Sequence, residues 1–123
     1  MASMQIFDDR TEWRMNGLLH RDDGPAVIYN DGDKYWYQHG SLHRINGPAF
    51  ESCHGTTMWY ENGLLHRTNG PAHEYGNGSK EWYVNGKLHR TNGPAIISYM
   101  FEGYCMQYWY QNGTELQTRS CRI

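Results

Sequence analysis

The chain has 123 residues, a hydrophobic fraction of 38%, an aromatic fraction of 15% and a formal net charge of −2. Its length indicates one domain, and its small charge excludes a global basic field that would draw it onto nucleic acid or an anionic membrane. No apolar run approaches the roughly 20 residues of a membrane-spanning helix, and the N-terminal MASMQIFDDR lacks the cationic and apolar regions of a signal peptide. We therefore expect a cytoplasmic protein that makes no membrane contact.

The cysteines support the same compartment. There are three of them, Cys53, Cys105 and Cys121, and all lie outside the repeated motif described below. Because the number is odd and the positions follow no pattern, we interpret them as reduced thiols rather than as a disulfide framework.

From residue 13 onward the chain repeats a unit with a step of 23 residues. A tryptophan opens each unit, at Trp13, Trp36, Trp59, Trp82 and, after a step of 27, Trp109. The phrase HRxxGPA follows in the first four units. The single repeat domain 1–123 thus contains units 13–35, 36–58, 59–81 and 82–108, the last with a four-residue insertion, and a degenerate C-terminal cap at 109–123.

Each unit is predicted to begin with a β-hairpin. In KEWYVNGKLHR, Asn85 and Gly86 lie between two short aromatic-rich stretches, which indicates a two-residue type I′ turn with positive φ at both residues. This turn pairs Val84 with Lys87, Tyr83 with Leu88, Trp82 with His89, and Glu81 with Arg90. The same register places each motif histidine opposite the tryptophan of its unit. His39 replaces the turn asparagine in the second unit, so we expect that turn to be the least regular.

The rest of each unit is predicted to complete a small β-meander. The phrase TNGP interrupts the second strand, because glycine permits a backbone angle that other residues avoid and proline has no N–H for the ladder. A third extended segment such as AVIY follows, and a glycine turn such as NDGD at 30–33 leads to the next tryptophan. One unit cannot bury its apolar face alone, so neighbours must stack. The sequence therefore predicts an all-β, elongated single-sheet repeat array with no helix of note.

The pattern WYxNGxLHRxxGPA over residues 13–113 resembles the MORN and MORN-like repeats. It is also similar to repeats in small phage and giant-virus proteins and in toxin-neutralising antitoxins. The resemblance implies stacked Asn-Gly hairpins that act mainly as a protein-binding scaffold. It further implies a small inhibitor that binds and restrains another protein, such as a toxin or a host defence factor, in the bacterial or host cytoplasm.

The repetition argues against catalysis and metal binding. An enzyme needs its special residues once, at one pocket, whereas the motif histidine recurs in every unit. Equivalent side chains of a meander lie at least about 10 Å apart, since strands are spaced about 4.8 Å, so the motif histidines do not converge on one ion. His54 follows Cys53 directly, but neighbours along a strand point to opposite faces. We expect no enzyme activity, no catalytic residue, no metal and no cofactor.

The repeated arginines leave two interpretations open. With nearby tyrosines they could form a cationic and aromatic stripe that binds nucleic acid or a phosphate ligand. Alternatively, each guanidinium serves the fold by stacking on an aromatic ring or bonding turn carbonyls, which is the role we favour. The residues concerned are Arg21, Arg44, Arg67 and Arg90.

Function is expected where the units differ, because positions shared by all units are explained by folding. The largest difference is the segment 98–110, which contains the insertion and is rich in aromatic and methionine side chains typical of interfaces. Its alternative role is to cap the open end of the sheet. The candidate partner-binding residues are Tyr99, Met100, Phe101, Tyr104, Met106, Tyr108, His39, His54 and His73.

Overall fold

The computed structural model describes residues 2–122, and within this range the chain forms β-strands and no helix. The strands are β1 (Ser3–Ile6), β2 (Arg10–Met15), β3 (Leu18–Leu19), β4 (Val27–Tyr29), β5 (Lys34–Tyr35), β6 (Tyr37–Gln38), β7 (Ser41–Leu42), β8 (Phe50–Glu51), β9 (Thr57–Met58), β10 (Tyr60–Glu61), β11 (Leu64–Leu65), β12 (His73–Glu74), β13 (Lys80–Glu81), β14 (Tyr83–Val84), β15 (Lys87–Leu88), β16 (Ile96–Tyr99), β17 (Tyr104–Gln111) and β18 (Thr114–Arg122). The predicted all-β class is confirmed. Within residues 2–122 no helical segment has the length and apolarity to cross a membrane.

The main sheet grows along the chain. Its order is β1–β2–β4–β5–β8–β9–β12–β13–β16–β17–β18, with β3 paired to β2, and its pairs are antiparallel. Three small hairpins, β6–β7, β10–β11 and β14–β15, complete the units. Because each unit adds strands only beside its neighbour, the result is the predicted elongated single-sheet array.

The hairpin prediction is confirmed at the turn and for the two residue pairs next to it. Tyr83 pairs with Leu88 and Val84 with Lys87, and Asn85 and Gly86 both have positive φ, at 49° and 81°, as a type I′ turn requires. The expectation that His39 distorts its turn is wrong. Its φ of 48° lies in the same left-handed region as the asparagines at the other tips, a region that short polar side chains tolerate.

In the second, third and fourth units the strand of the main sheet ends just before the tryptophan, where the chain leaves this sheet to form the small hairpin. The Trp36 N–H donates to the Ala49 carbonyl at 2.7 Å, while the Trp36 carbonyl accepts from the His43 N–H at 3.1 Å, as the predicted Trp-His pairing requires. The Ala49 N–H then donates to the carbonyl of Met58, the last residue of the same unit, at 2.8 Å. The motif alanines Ala26, Ala49, Ala72 and Ala95 are completely buried. A larger side chain at these positions would therefore separate the units.

The motif histidines link each hairpin to the next one. His43 Nδ1 accepts the N–H of Asn62 at 3.0 Å, and the equivalent bonds are His39 to His20, Asn85 to His66 and Asn112 to His89. Because Nδ1 accepts, the proton of the neutral ring lies on Nε2. The repeated histidine thus has a structural role that one unit alone does not reveal.

The hairpin pairing is shorter than predicted. The expected partnership of Glu81 with Arg90 is wrong: Glu81 pairs with His73 and Ile96 in the main sheet, and the Arg90 N–H donates to the Tyr110 carbonyl of the next unit at 3.3 Å. The reason is that β13 ends at Glu81 and the chain leaves the main sheet at Trp82 to form the small hairpin β14–β15.

The cysteine prediction is wrong for two residues. Cys105 and Cys121 are cross-strand partners in β17 and β18 and form a disulfide, while Cys53 is an exposed free thiol. Counting cysteines could not reveal this pairing, because it depends on the register of the last hairpin, which contains an irregularity between Trp109 and Tyr110.

The four-residue insertion lengthens one hairpin of the main sheet. In the third unit the turn closes with a hydrogen bond from the Tyr75 N–H to the Ser79 carbonyl, two residues beyond the cross-strand pair of His73 and Glu81. In the fourth unit it closes from Met100 to Tyr104, four residues beyond the equivalent pair Ile96 and Tyr108. Each strand gains two residues, so the turn extends about 7 Å further at about 3.3 Å per residue.

Candidate functional site

Each repeated arginine lies between a tryptophan and a glycine. The guanidinium carbons of Arg21, Arg44, Arg67 and Arg90 lie 3.8, 3.8, 3.9 and 3.8 Å from the ring centres of Trp13, Trp36, Trp59 and Trp82. On the other side, a Cβ added to Gly24, Gly47, Gly70 or Gly93 would approach that carbon to 3.0, 2.9, 3.0 and 2.9 Å. The guanidinium is thus packed on both faces.

This geometry corrects the explanation of the motif glycine. We expected it to provide a backbone angle that other residues avoid, but Gly93 and its three equivalents are not among the glycines with positive φ. The glycine is needed because a side chain would collide with the arginine. The sequence signal for this was present, since the glycine always lies three residues after the arginine.

Hydrogen bonds fix the arginines further. Nη1 of Arg90 donates to the Pro94 carbonyl at 3.0 Å, and the other three make the same bond to the proline of their own loop at 3.1 to 3.2 Å. Burial lowers the pKa of Arg90 from its ordinary value. Ion pairs differ between units, for example Arg44 with Glu51 at 3.2 Å. This arrangement favours the structural interpretation of the arginines.

The extended turn at residues 100–104 gathers part of the predicted interface. Phe101 is 86% exposed, and Met100 and Tyr104 also expose large apolar side chains. The Tyr104 hydroxyl accepts a hydrogen bond from Arg122 at 2.7 Å. Tyr99 lies at the base of the turn, where its N–H donates to Ser79 Oγ at 2.9 Å. We call residues 100–104 the hairpin tip.

The remaining predicted interface residues lie elsewhere. Met106 and Tyr108 are half-buried further along β17. His39 lies at a hairpin turn beside His20, with 4.4 Å between the ring centres. His54 is exposed in the turn between β8 and β9, and the ring of His73 stacks on Tyr75 at 4.0 Å in the main sheet. The three histidines therefore do not join the hairpin tip in one site.

One turn cluster has donor atoms suited to a metal ion. Asp31, Asp33 and Cys53 each offer one ligand atom, and these atoms lie within 4.8 Å of one another. The Asp33 carboxylate already accepts the Cys53 N–H at 2.8 Å, and its hydrogen bond to the thiol raises the pKa of Cys53. Because metals bind the thiolate, the contact is better explained as a link between neighbouring turns.

Two carboxylates that were not among the predicted site residues, Glu12 and Glu81, precede the tryptophans of the first and fourth units. Glu12 accepts hydrogen bonds from Arg10 and Arg14 at 2.7 and 3.0 Å. The Arg10 hydrogen bond is the main cause that lowers the pKa of Glu12, against the opposing effect of burial. The signal that could have revealed them is that the other units carry Tyr35, Met58 and Tyr108 at this position.

Glu81 has a different surrounding. Burial acts to raise its pKa, but hydrogen bonds from His73, Tyr83 and Tyr75 together outweigh burial and lower it. The hydroxyls of Tyr75 and Tyr83 donate to Oε2 and Oε1 at 3.0 and 2.9 Å. Burial and this bond raise the pKa of Tyr75 to about 12. The carboxylate is therefore ionised at neutral pH and the phenols are not.

Comparisons of the chain with protein-family models, with curated proteins and with solved structures found no match.

Proposed function

We propose that the protein is a non-enzymatic protein-binding module that contacts its partner through the hairpin tip. The observation that carries this proposal is the four-residue insertion, which extends one turn and exposes Met100, Phe101 and Tyr104 on it. No rule of the repeat demands these side chains, and protein interfaces draw most of their affinity from a few large anchors of this kind. The disulfide between Cys105 and Cys121 lies next to the tip and would reduce the entropy lost on binding.

The partner class is a further part of the proposal. We favour a toxin or a host defence factor that the protein binds and restrains, because the repeats resemble scaffolds and antitoxins of the MORN-like type. The arginine stripe is the weaker candidate site for nucleic acid or phosphate. Its guanidinium groups stack on tryptophan and donate to proline carbonyls, so a ligand would have to displace contacts that the fold uses.

The test compares three variants against one purified partner, captured with the wild-type chain and then titrated by calorimetry. We expect Phe101→Ser to weaken binding by about 2 kcal/mol or more, as for an interface hot spot, without lowering the thermal midpoint. Ile45→Ser is the matched control, because Ile45 is 77% exposed in a loop far along the chain from the tip, and it should bind like the wild type.

The arginine variant gives the opposing outcome. Arg44→Ala should destabilise the fold and leave the affinity of the remaining folded protein unchanged at low and high salt. Wild-type affinity in Phe101→Ser, combined with a strong salt dependence and loss of binding in Arg44→Ala, would reject the hairpin tip as the binding site.

A further inference from the structure

The first unit shows how this fold accommodates a carboxylate in the sheet face. Glu12 has a side chain only 7% exposed, and such a sheltered charge is unfavourable unless it is paired. The protein pairs it twice, with Arg10 Nε at Oε2 and Arg14 Nε at Oε1. Two guanidinium groups from its own strand therefore neutralise this carboxylate.

Glu81 is the same position three repeat steps later, as Trp82 is to Trp13. Both carboxylates lie in one continuous cross-strand row, which runs from Glu12 through Val27, Tyr35, Phe50, Met58 and His73 to Glu81. Directly opposed residues of neighbouring strands point to the same face. Glu81 therefore occupies the same face of the sheet as Glu12.

The two arginines of the first unit have no counterpart around Glu81. Ser79 stands where the first unit has Arg10, and Tyr83 stands where it has Arg14. The Glu81 side chain is 17% exposed, and its one recorded ion-pair partner in residues 2–122 is His73, at 3.5 Å, which is a cation only when protonated. Tyr75 and Tyr83 donate hydrogen bonds to the carboxylate but bring no positive charge.

An open cavity lies beside Glu81, and Ser79, which stands at the position of Arg10, is one of its lining residues. It has a volume of about 190 Å³ and is lined by Tyr75, Ser79, Glu81, Ile96 and Ser98 among others. A single water needs only about 10–15 Å³ of such volume, so the space accepts the end of a long side chain. Each oxygen of an ionised carboxylate can accept about two hydrogen bonds. Oε1 already faces both Tyr83 and His73, whereas Oε2 accepts only from Tyr75. Oε2 can therefore accept a further donor.

We propose that this cavity binds the guanidinium group of an arginine side chain. A guanidinium N–H can donate to Oε2 in a charge-assisted hydrogen bond, and the face of the Tyr75 ring that is not stacked on His73 offers a cation–π contact. The substitution of Arg10 by Ser79 leaves room for the same chemical group to arrive from outside. β16 (Ile96–Tyr99) leads directly from the cavity to the hairpin tip. If the tip binds a protein partner, as proposed above, the arginine that enters the cavity belongs to the surface of that partner.

The test uses the full chain and small probes, so its result does not depend on a protein partner. Nα-acetyl-L-arginine amide is titrated into ¹⁵N-labelled protein and followed by the backbone amides of Ser79, Glu81 and Ser98. Nα-acetyl-L-citrulline amide is the probe control, because it has nearly the same shape without the charge. We expect saturable shifts with a dissociation constant on the order of millimolar for the arginine probe, and no saturation with citrulline.

Variants locate the effect. Glu81→Gln should weaken arginine binding at least about tenfold, as for loss of a hydrogen bond to a charged group. Ser79→Arg should abolish it by placing an arginine where the first unit has one. Glu74→Gln is the matched control: it removes the same charge from the neighbouring residue pair of the hairpin, where Glu74 pairs with Lys80 rather than with Glu81, and it should leave the affinity unchanged.

Equal shifts with both probes, or equal weakening by Glu81→Gln and Glu74→Gln, would reject the pocket. If a variant fails to fold, the comparison of arginine with citrulline on the wild-type chain still decides. If the arginine probe does not bind but Phe101→Ser still weakens partner binding, the proposed function stands and only the arginine pocket is rejected.

Discussion

Gly93→Ala should destabilise the wild-type protein but stabilise a variant that lacks the Arg90 side chain. In the wild type, the new Cβ would lie 2.9 Å from the Arg90 guanidinium carbon and Nη1, so the guanidinium must leave the Trp82 ring and the Pro94 carbonyl. The cation–π contact contributes about 0.5–2 kcal/mol, and a hydrogen bond to a charged group about 1.5–3 kcal/mol. We therefore expect Gly93→Ala to lower the free energy of unfolding by about 2–5 kcal/mol.

The Arg90→Ala background removes the collision. Gly93 does not have a positive φ, so alanine there restricts the unfolded chain without strain and should stabilise the protein by about 0.4–1 kcal/mol. Urea denaturation of the four proteins of this double-mutant cycle measures the coupling, which we expect to exceed about 2 kcal/mol. Gly86→Ala is the matched control, because its φ of 81° makes alanine unfavourable in both backgrounds.

The reasoning is refuted if Gly93→Ala has the same effect with and without Arg90. Such additivity would mean that the guanidinium does not pack against the glycine. Denaturation should be followed by both tryptophan fluorescence and circular dichroism, since repeat arrays can unfold in more than one step.

Three further changes test other parts of the skeleton. Gly86→Val should cost about 2 kcal/mol or more by forcing a β-branched residue to positive φ, and thermal melts that match the wild type would contradict the type I′ turn. His20→Asn should retain a hydrogen-bond acceptor for the His39 N–H, whereas His20→Leu leaves this N–H without a partner and should lower the free energy of unfolding by about 1–2 kcal/mol. The urea midpoint of His20→Asn should therefore exceed that of His20→Leu. Equal midpoints would show that the histidine does not link the hairpins. Glu12→Gln should lose about 1–3 kcal/mol at pH 7. Because the folded pKa of Glu12 lies below its ordinary 4.5, its stabilisation is present above that pH and is lost as the pH falls through the folded value, so the two unfolding curves should converge in acid.

The sequence predicted the repeated parts of the fold well because their signals are local. The Asn-Gly turn fixes the hairpin register by itself, and the 23-residue step shows that equivalent units follow one another and must stack. The point at which the chain leaves the main sheet in the second, third and fourth units was not predictable in this way, because it depends on hydrogen bonds to an alanine that follows 13 residues later, as from Trp36 to Ala49. The wrong pairing of Glu81 with Arg90 has this origin.

The candidate sites were predicted less completely, because they depend on contacts between strands that are distant in sequence. The segment 98–110 was recognised from its insertion and composition, but the protrusion of the hairpin tip follows from the register of β16 and β17. The role of the cavity beside Glu81 follows from comparing Ser79 with Arg10, and these two residues can be compared only when the cross-strand row that contains Glu12 and Glu81 is known. The disulfide of Cys105 and Cys121 likewise required the register of β17 and β18.

The central claim is that the repeated phrase is structural, with its arginines held against tryptophan rather than presented to a ligand. The most direct measurement is the side-chain ¹H–¹⁵N spectrum of the arginine Nε–H groups, recorded with and without a single-stranded oligonucleotide. We predict upfield ring-current shifts for Arg21, Arg44, Arg67 and Arg90, which lie 3.8 to 3.9 Å from indole ring centres, and no change when the oligonucleotide is added. Random-coil shifts for these four groups, or shifts that move with the oligonucleotide and return at high salt, would contradict the account.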